Sequence, residues 1–114
     1  MKELEELYKL ANVKGSPQYI PSTGERIGYE LPIFTTEKAW KLPKVLLRTY
    51  SIEIEDWEEK GYNFTFNSKD ICLNITYLSI TRPTFEEGII QACIDLWDSL
   101  TDRQQEEIRK ILES

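Results

Sequence analysis

The chain has 114 residues, which fits one compact domain, and its 20 acidic against 14 basic side chains leave a net charge of −6. It contains no histidine and only two cysteines, so imidazole-based catalysis and Cys/His zinc sites are excluded. The acidic balance argues against direct binding to a duplex and permits the reverse, a partner protein with a basic groove.

Hydrophobic residues make up 40% and charged residues 30%, the balance of a globular chain, with three Trp, six Tyr and four Phe as bulky core material. Residues 2–12 place Leu4, Leu7, Tyr8 and Ala11 at helical spacing, with Glu3, Glu5 and Glu6 at the start, where the helix dipole favours acids. The start MKELEELYKL is too charged for a signal peptide, and no apolar run approaches the roughly 18 residues of a membrane span. A cytoplasmic protein is expected.

Residues 13–34 are rich in Gly and Pro and read as turns with short extended pieces at Gln18–Ile20 and Arg26–Leu31. Thr23-Gly24 is the expected hairpin tip between them. Thr35 or Thr36 caps a helical stretch over 36–60. Its stripe is Ala39, Trp40, Leu42, Val45, Leu46 and Leu47, interrupted by Pro43, which kinks the helix or begins a second one. Within it, residues 51–60 (SIEIEDWEEK) carry both periods. Ile52 and Ile54 alternate like a strand, whereas Ile54 and Trp57 are spaced like a helix, with Ser51 as a cap and Gly61 as a stop; the expectation is helix.

Two strands follow. Tyr62, Phe64 and Phe66 alternate with Asn63, Thr65 and Asn67 over 62–67. The second strand spans 71–80, joined to the first by a hairpin at Asn67-Ser68-Lys69-Asp70. Its two faces, Ile71, Leu73, Ile75 and Tyr77 against Cys72, Asn74, Thr76 and Leu78, are both partly apolar, which predicts helices on both sides of the sheet. A helix over 84–100 opens on the capping box Thr84–Glu87 and presents Phe85, Ile89, Ala92, Cys93, Leu96, Trp97 and Leu100. A last helix over 102–113 opens on a second box, Thr101–Gln104, and turns Ile108, Ile111 and Leu112 inward. Cys72 and Cys93 read as buried free thiols of a reducing compartment, with a single disulfide between them as the alternative. Trp40, Trp57 and Trp97 are expected in the core, with Trp57 also a candidate interface anchor.

The motifs Pro21-x-x-Gly24-Glu25, Leu31-Pro32-x-Phe34-Thr35-Thr36 and Ala39-Trp40, then Gly61-Tyr62-x-Phe64 and the Thr84-started helix with Ile90-x-x-Cys93, resemble the phage ABA sandwich family of small phage and prophage proteins. The resemblance spans roughly residues 20–98. It implies a single α+β domain in which an antiparallel sheet is sandwiched between helices in α/β/α layers. It implies a phage or prophage origin and carries no catalytic residues.

The densest chemical feature is Glu53, Glu55, Asp56, Glu58 and Glu59, five carboxylates within seven residues. Like charges this close repel. The functional reading is a phosphate-like surface that occupies the basic nucleic-acid channel of a host protein, such as a defence nuclease; the plain one is a solvated face. Nothing in the pattern marks an opposed catalytic carboxylate pair, a calcium loop or an activated Cys nucleophile. The expectation is therefore a non-enzymatic protein with no cofactor and no metal, acting on a host protein. A second reading takes Tyr19, Arg26 and Tyr29 as a stacking and charge site for a nucleotide-like signal. A third is a minor structural or assembly component.

Overall fold

The computed structural model describes residues 2–13, 15–69 and 76–114, with side chains given for all of these except 16–18 and 26–30. In chain order the elements are α1 (Lys2–Leu10), β1 (Ser16–Tyr19), β2 (Arg26–Glu30), α2 (Thr36–Leu46), β3 (Tyr50–Asp56), β4 (Tyr62–Ser68), β5 (Tyr77–Arg82), α3 (Phe85–Leu96) and α4 (Asp102–Glu113). Short 3-10 turns at Glu58–Lys60 and Trp97–Ser99 lead into β4 and out of α3. The chain is a single small α+β domain: an antiparallel sheet in the order β3-β4-β5 with helices packed against it, beside a separate β1-β2 hairpin.

Strand alternation divides the sheet into two faces. Phe64 and Phe66 are fully buried on one, flanked by Ile52 and Ile54 of β3 and by Leu78 and Ile80 of β5. α3 lies across this face, α1 and α2 pack on α3, and α4 packs on α2. Gly88 lets α3 approach the sheet, because a β-carbon there would stand 2.0 Å from Cε2 of Phe64. The core closes with Leu7, Leu42, Leu46, Ile89, Ile108 and Leu112, all fully buried. Tyr8 ties α1 to the chain before α2 by donating its hydroxyl to the Pro32 carbonyl at 2.7 Å.

The other face is polar. Ser51, Glu53 and Glu55 stand beside Asn67, Thr65 and Asn63, and these beside Tyr77, Ser79 and Thr81. The expected second helical layer is not found among the described residues, since hydroxyls, amides and carboxylates here offer a helix no apolar surface. The two apolar faces expected for a strand over 71–80 rested largely on residues 71–75, which lie outside the described residues, as do Asp70 of the expected hairpin and Cys72. β5 begins at Tyr77, with Tyr77 on the exposed face and Leu78 on the buried one.

The helical expectation over 36–60 is corrected. α2 stops at Leu46, running through Pro43 without ending there, and residues 50–56 form β3. The competing helical spacing loses because Tyr50, Ile52 and Ile54 fall on one side of a strand, in register with Ser68, Phe66 and Phe64. Alternate residues of β3 can instead bond their main-chain groups along β4. Gly61 ends the 3-10 turn with φ +91°, a conformation that favours glycine; a β-carbon there would meet the Arg82 carbonyl at 2.3 Å.

The helix starts are as expected, with one change. Thr101 and Gln104 form both halves of a capping box. Thr84 accepts from the Glu87 N–H at 3.2 Å, but no return bond from the Glu87 side chain is found among the described residues; its neighbour Glu86 takes the Thr36 hydroxyl at 3.3 Å. The helix over 84–100 ends earlier, at Leu96, before its 3-10 turn. Of the three tryptophans only Trp97 is buried. Trp40 is 60% exposed and stacks on Phe85 at 4.3 Å between ring centroids.

Candidate functional site

The acidic run folds as the end strand of the sheet and the turn after it, and strand geometry separates its members. Glu53 and Glu55 point from the polar face of β3, opposite Thr65 and Asn63. Asp56 falls on the alternate side, and its Oδ1 accepts the Glu58 N–H at 2.9 Å. That bond holds the turn at Glu58, whose φ of +50° is a conformation side chains rarely adopt. Glu58 and Glu59 project from the 3-10 turn. All five carboxylates are exposed, and among the described residues none of them is in an ion pair. The basic side chains that pair among the described residues do so elsewhere: Lys41 with Glu37, Arg48 and Arg103 with Glu107, and Arg109 with Glu106 and Glu113.

Trp57 continues the row of Glu53 and Glu55. Its indole N–H donates to Glu55 Oε2 at 2.7 Å, and the ring remains 43% exposed. This contact orients an aromatic face beside two carboxylates that no cation neutralises among the described residues, a combination that suits a guanidinium or ammonium group. Behind the acids, Asn63 is buried and donates through Nδ2 to Thr81 Oγ1 at 3.0 Å and Ser79 Oγ at 3.3 Å, while its Oδ1 accepts from Thr65 Oγ1 at 3.3 Å. The centre of the neighbouring polar face is thus internally bonded, and Glu53 and Glu55 are its outward-facing charges, with Tyr77 exposed at its far edge.

The second candidate set is less complete. Tyr19 is exposed on β1, opposite Arg26 across the hairpin and next to a β-bulge at Gln18/Tyr19. Tyr29 lies further along β2, opposite Pro17, and the side chains of Arg26 and Tyr29 lie outside the described residues. Grooves among the described residues lie elsewhere. One of about 300 Å³ is lined by Glu5, Tyr8, Lys9, Val13 and Leu31. Another, of about 320 Å³, lies between the end of α1 and α4, beside Trp97 and Arg109.

Cys93 is fully buried on α3, and burial pushes its thiol up to about 12, so it is neither thiolate nor accessible at neutral pH. Among the described residues no His/Cys/Asp/Glu group is arranged to hold a metal ion, and no helix is long and apolar enough to cross a membrane. Sequence reasoning missed the main-chain edge of β3, which no other strand pairs with among the described residues, and the 42% exposure of Ile54 beside it. The strict alternation of Ile and Glu at 52–55 was the signal that could have found both.

Comparison with known proteins adds no relative: no family model, curated protein or solved structure matches this chain.

Proposed function

We propose that this chain is a non-enzymatic protein-binding module that offers the acidic row of β3 and its following turn to a basic surface on a partner protein. One observation carries the reading: Glu53 and Glu55 are exposed and, among the described residues, in no ion pair, and they stand beside Trp57, whose ring Glu55 holds in place. An unpaired, exposed carboxylate keeps its full attraction for an incoming cation, and an oriented Trp adds apolar contact at low entropic cost. The absence of histidine from the sequence and the burial of Cys93 favour binding over catalysis.

The motif resemblance to phage ABA sandwich proteins supports a phage or prophage accessory protein whose partner is a host protein in the host cytoplasm. A nucleic-acid-binding host protein, such as a defence nuclease, fits best, because its basic channel is built for closely spaced negative charge.

The test compares the native chain with a variant carrying Glu53→Lys, Glu55→Lys, Glu58→Lys and Glu59→Lys. Both are tagged and used to capture host proteins at low and high salt. The expected result is a basic partner retained by the native chain, released at high salt and lost in the variant, with the circular dichroism of the two chains alike. Equal capture by both chains overturns the reading.

A further inference from the structure

β3 is the end strand of its sheet, and the phase of its hydrogen-bond ladder can be read from its neighbours. The Trp57 N–H donates to the Gly61 carbonyl at 2.7 Å, and on the other side of β4 the Ser68 N–H donates to the Thr76 carbonyl at 2.8 Å. In an antiparallel pair the main-chain groups of successive residues point to opposite sides. Ser51, Glu53 and Glu55 therefore bond to β4, and Ile52, Ile54 and Asp56 direct their N–H and C=O groups to the outer edge, which no other strand among the described residues pairs with. Side chains follow the same alternation. Ile52 and Ile54 lie on the helix-covered face, with Ile54 42% exposed, and Glu53 and Glu55 lie on the polar face.

Resting on the protein-binding reading above, we infer that the partner docks by adding a strand to this edge, and that the docking segment is an extended one in which basic and apolar residues alternate. The edge supplies main-chain donors and acceptors at Ile52, Ile54 and Asp56, the mode by which extended peptides join an exposed sheet edge. The alternation supplies the selectivity. Residues of the added strand on the polar face meet Glu53 and Glu55, with Trp57 at the end of the row, and select Lys or Arg. Residues on the other face meet Ile54 and the rim of the core and select apolar side chains.

Charge also decides against a second copy of this chain as the occupant. Two β3 strands paired edge to edge would bring one set of carboxylates against another, and like charges across a strand pair are destabilising. The acids that keep the edge from pairing with itself are those that admit a basic strand.

The test uses synthetic peptides as long as β3, seven residues. One alternates Lys and Val; a second has the same composition with the lysines in one block and the valines in another. Two further versions of the alternating peptide are N-methylated, one at every valine amide and one at every internal lysine amide. An added strand turns only one of these two amide sets toward β3. The expected result is that the alternating peptide binds, that the block peptide binds about tenfold or more weakly, and that only one methylated version loses binding. Ile54→Pro removes an edge donor without touching the β4 ladder, and should weaken the alternating peptide about tenfold while the protein stays folded. Equal binding of both methylated peptides, or undiminished binding to Ile54→Pro, overturns strand addition. If Glu53→Lys with Glu55→Lys still abolishes that binding, the acidic-surface reading survives; if binding ignores the acids as well, both fail. No binding by the alternating peptide also overturns the inference.

Discussion

Phe64 and Gly88 are in such close contact that the ring of one occupies the space where the other would carry a side chain: a β-carbon on Gly88 would lie 2.0 Å from Cε2 and 2.6 Å from Cδ2 and Cζ of the ring. This approach sets how α3 sits on the sheet. It also sets two effects of Gly88→Ala in opposition. Alanine is the better helix former by about 1 kcal/mol, but Phe64 is fully buried and has nowhere to move. Overpacking of this kind costs about 1–3 kcal/mol, so Gly88→Ala should lower stability in urea unfolding despite its propensity gain. In a double-mutant cycle with Phe64→Leu, the pair should couple by about 1–2 kcal/mol. A stabilised Gly88→Ala protein would show that the helix can lift from the ring freely.

Gln104 joins α4 to the end of α2. Its Oε1 accepts the Thr101 N–H at 3.0 Å, and its Nε2 donates to the Val45 carbonyl at 3.1 Å and to Thr49 Oγ1 at 2.7 Å. The Thr101 hydroxyl also donates to Oε1 at 3.2 Å, and Gln104→Leu keeps the bulk and removes all four bonds from a buried site. The expected loss is about 2–3 kcal/mol, the cost of leaving buried partners unpaired together with half a capping box. Thr101→Ala removes only the cap and should cost about 1 kcal/mol. Equal losses would assign the Gln104 side chain no role beyond capping.

Lys38 is a buried lysine with its ammonium used twice, donating from Nζ to the Ile33 carbonyl at 2.8 Å and the Leu112 carbonyl at 2.9 Å. The second bond holds the last turn of α4 against the start of α2. Lys38→Met preserves the apolar stem and removes both donors, and it should cost about 1–3 kcal/mol. Amide exchange should rise first in the last turn of α4. Unchanged exchange there would mean that water replaces the lysine without loss.

Cys93 links stability to alkaline pH. The thiol is neutral in both folded and unfolded chains below pH 9, so it contributes its full stabilisation there. The unfolded chain releases its proton near 9.0, whereas burial holds the folded one up to about 12. The folded state then binds more protons, and stability falls as pH rises from 9 toward 12, by about 4 kcal/mol at most. Cys93→Ala should flatten this part of the pH profile. In a Cys72→Ser background, a thiol reagent at pH 8 should label Cys93 only as fast as the protein opens. Rapid labelling of the native protein would contradict its burial.

The sequence by itself determined the helices and the central strand. Their apolar residues recur at one period, so any fold that buries Leu7, Leu42, Ile89 or Ile108 must use the same helix faces, and Phe64 and Phe66 must share one side of a strand. The Thr101–Gln104 cap was equally legible, because its two partners lie within one turn. What only the tertiary structure decided was the state of residues 50–60. Ile52, Ile54 and Trp57 satisfy helical and strand spacing alike, and the choice came from β4, which offers main-chain partners and sets Phe64 opposite Ile54 and Phe66 opposite Ile52. The same pairing divided the acidic run, placing Glu53 and Glu55 on the polar face and Asp56 in a turn. Helix packing likewise left Trp40 of α2 60% exposed, stacked on Phe85 of α3, although its spacing matches the buried Ala39 and Leu42. A local pattern states which residues can share a face; which face meets the core depends on contacts between segments far apart in the chain.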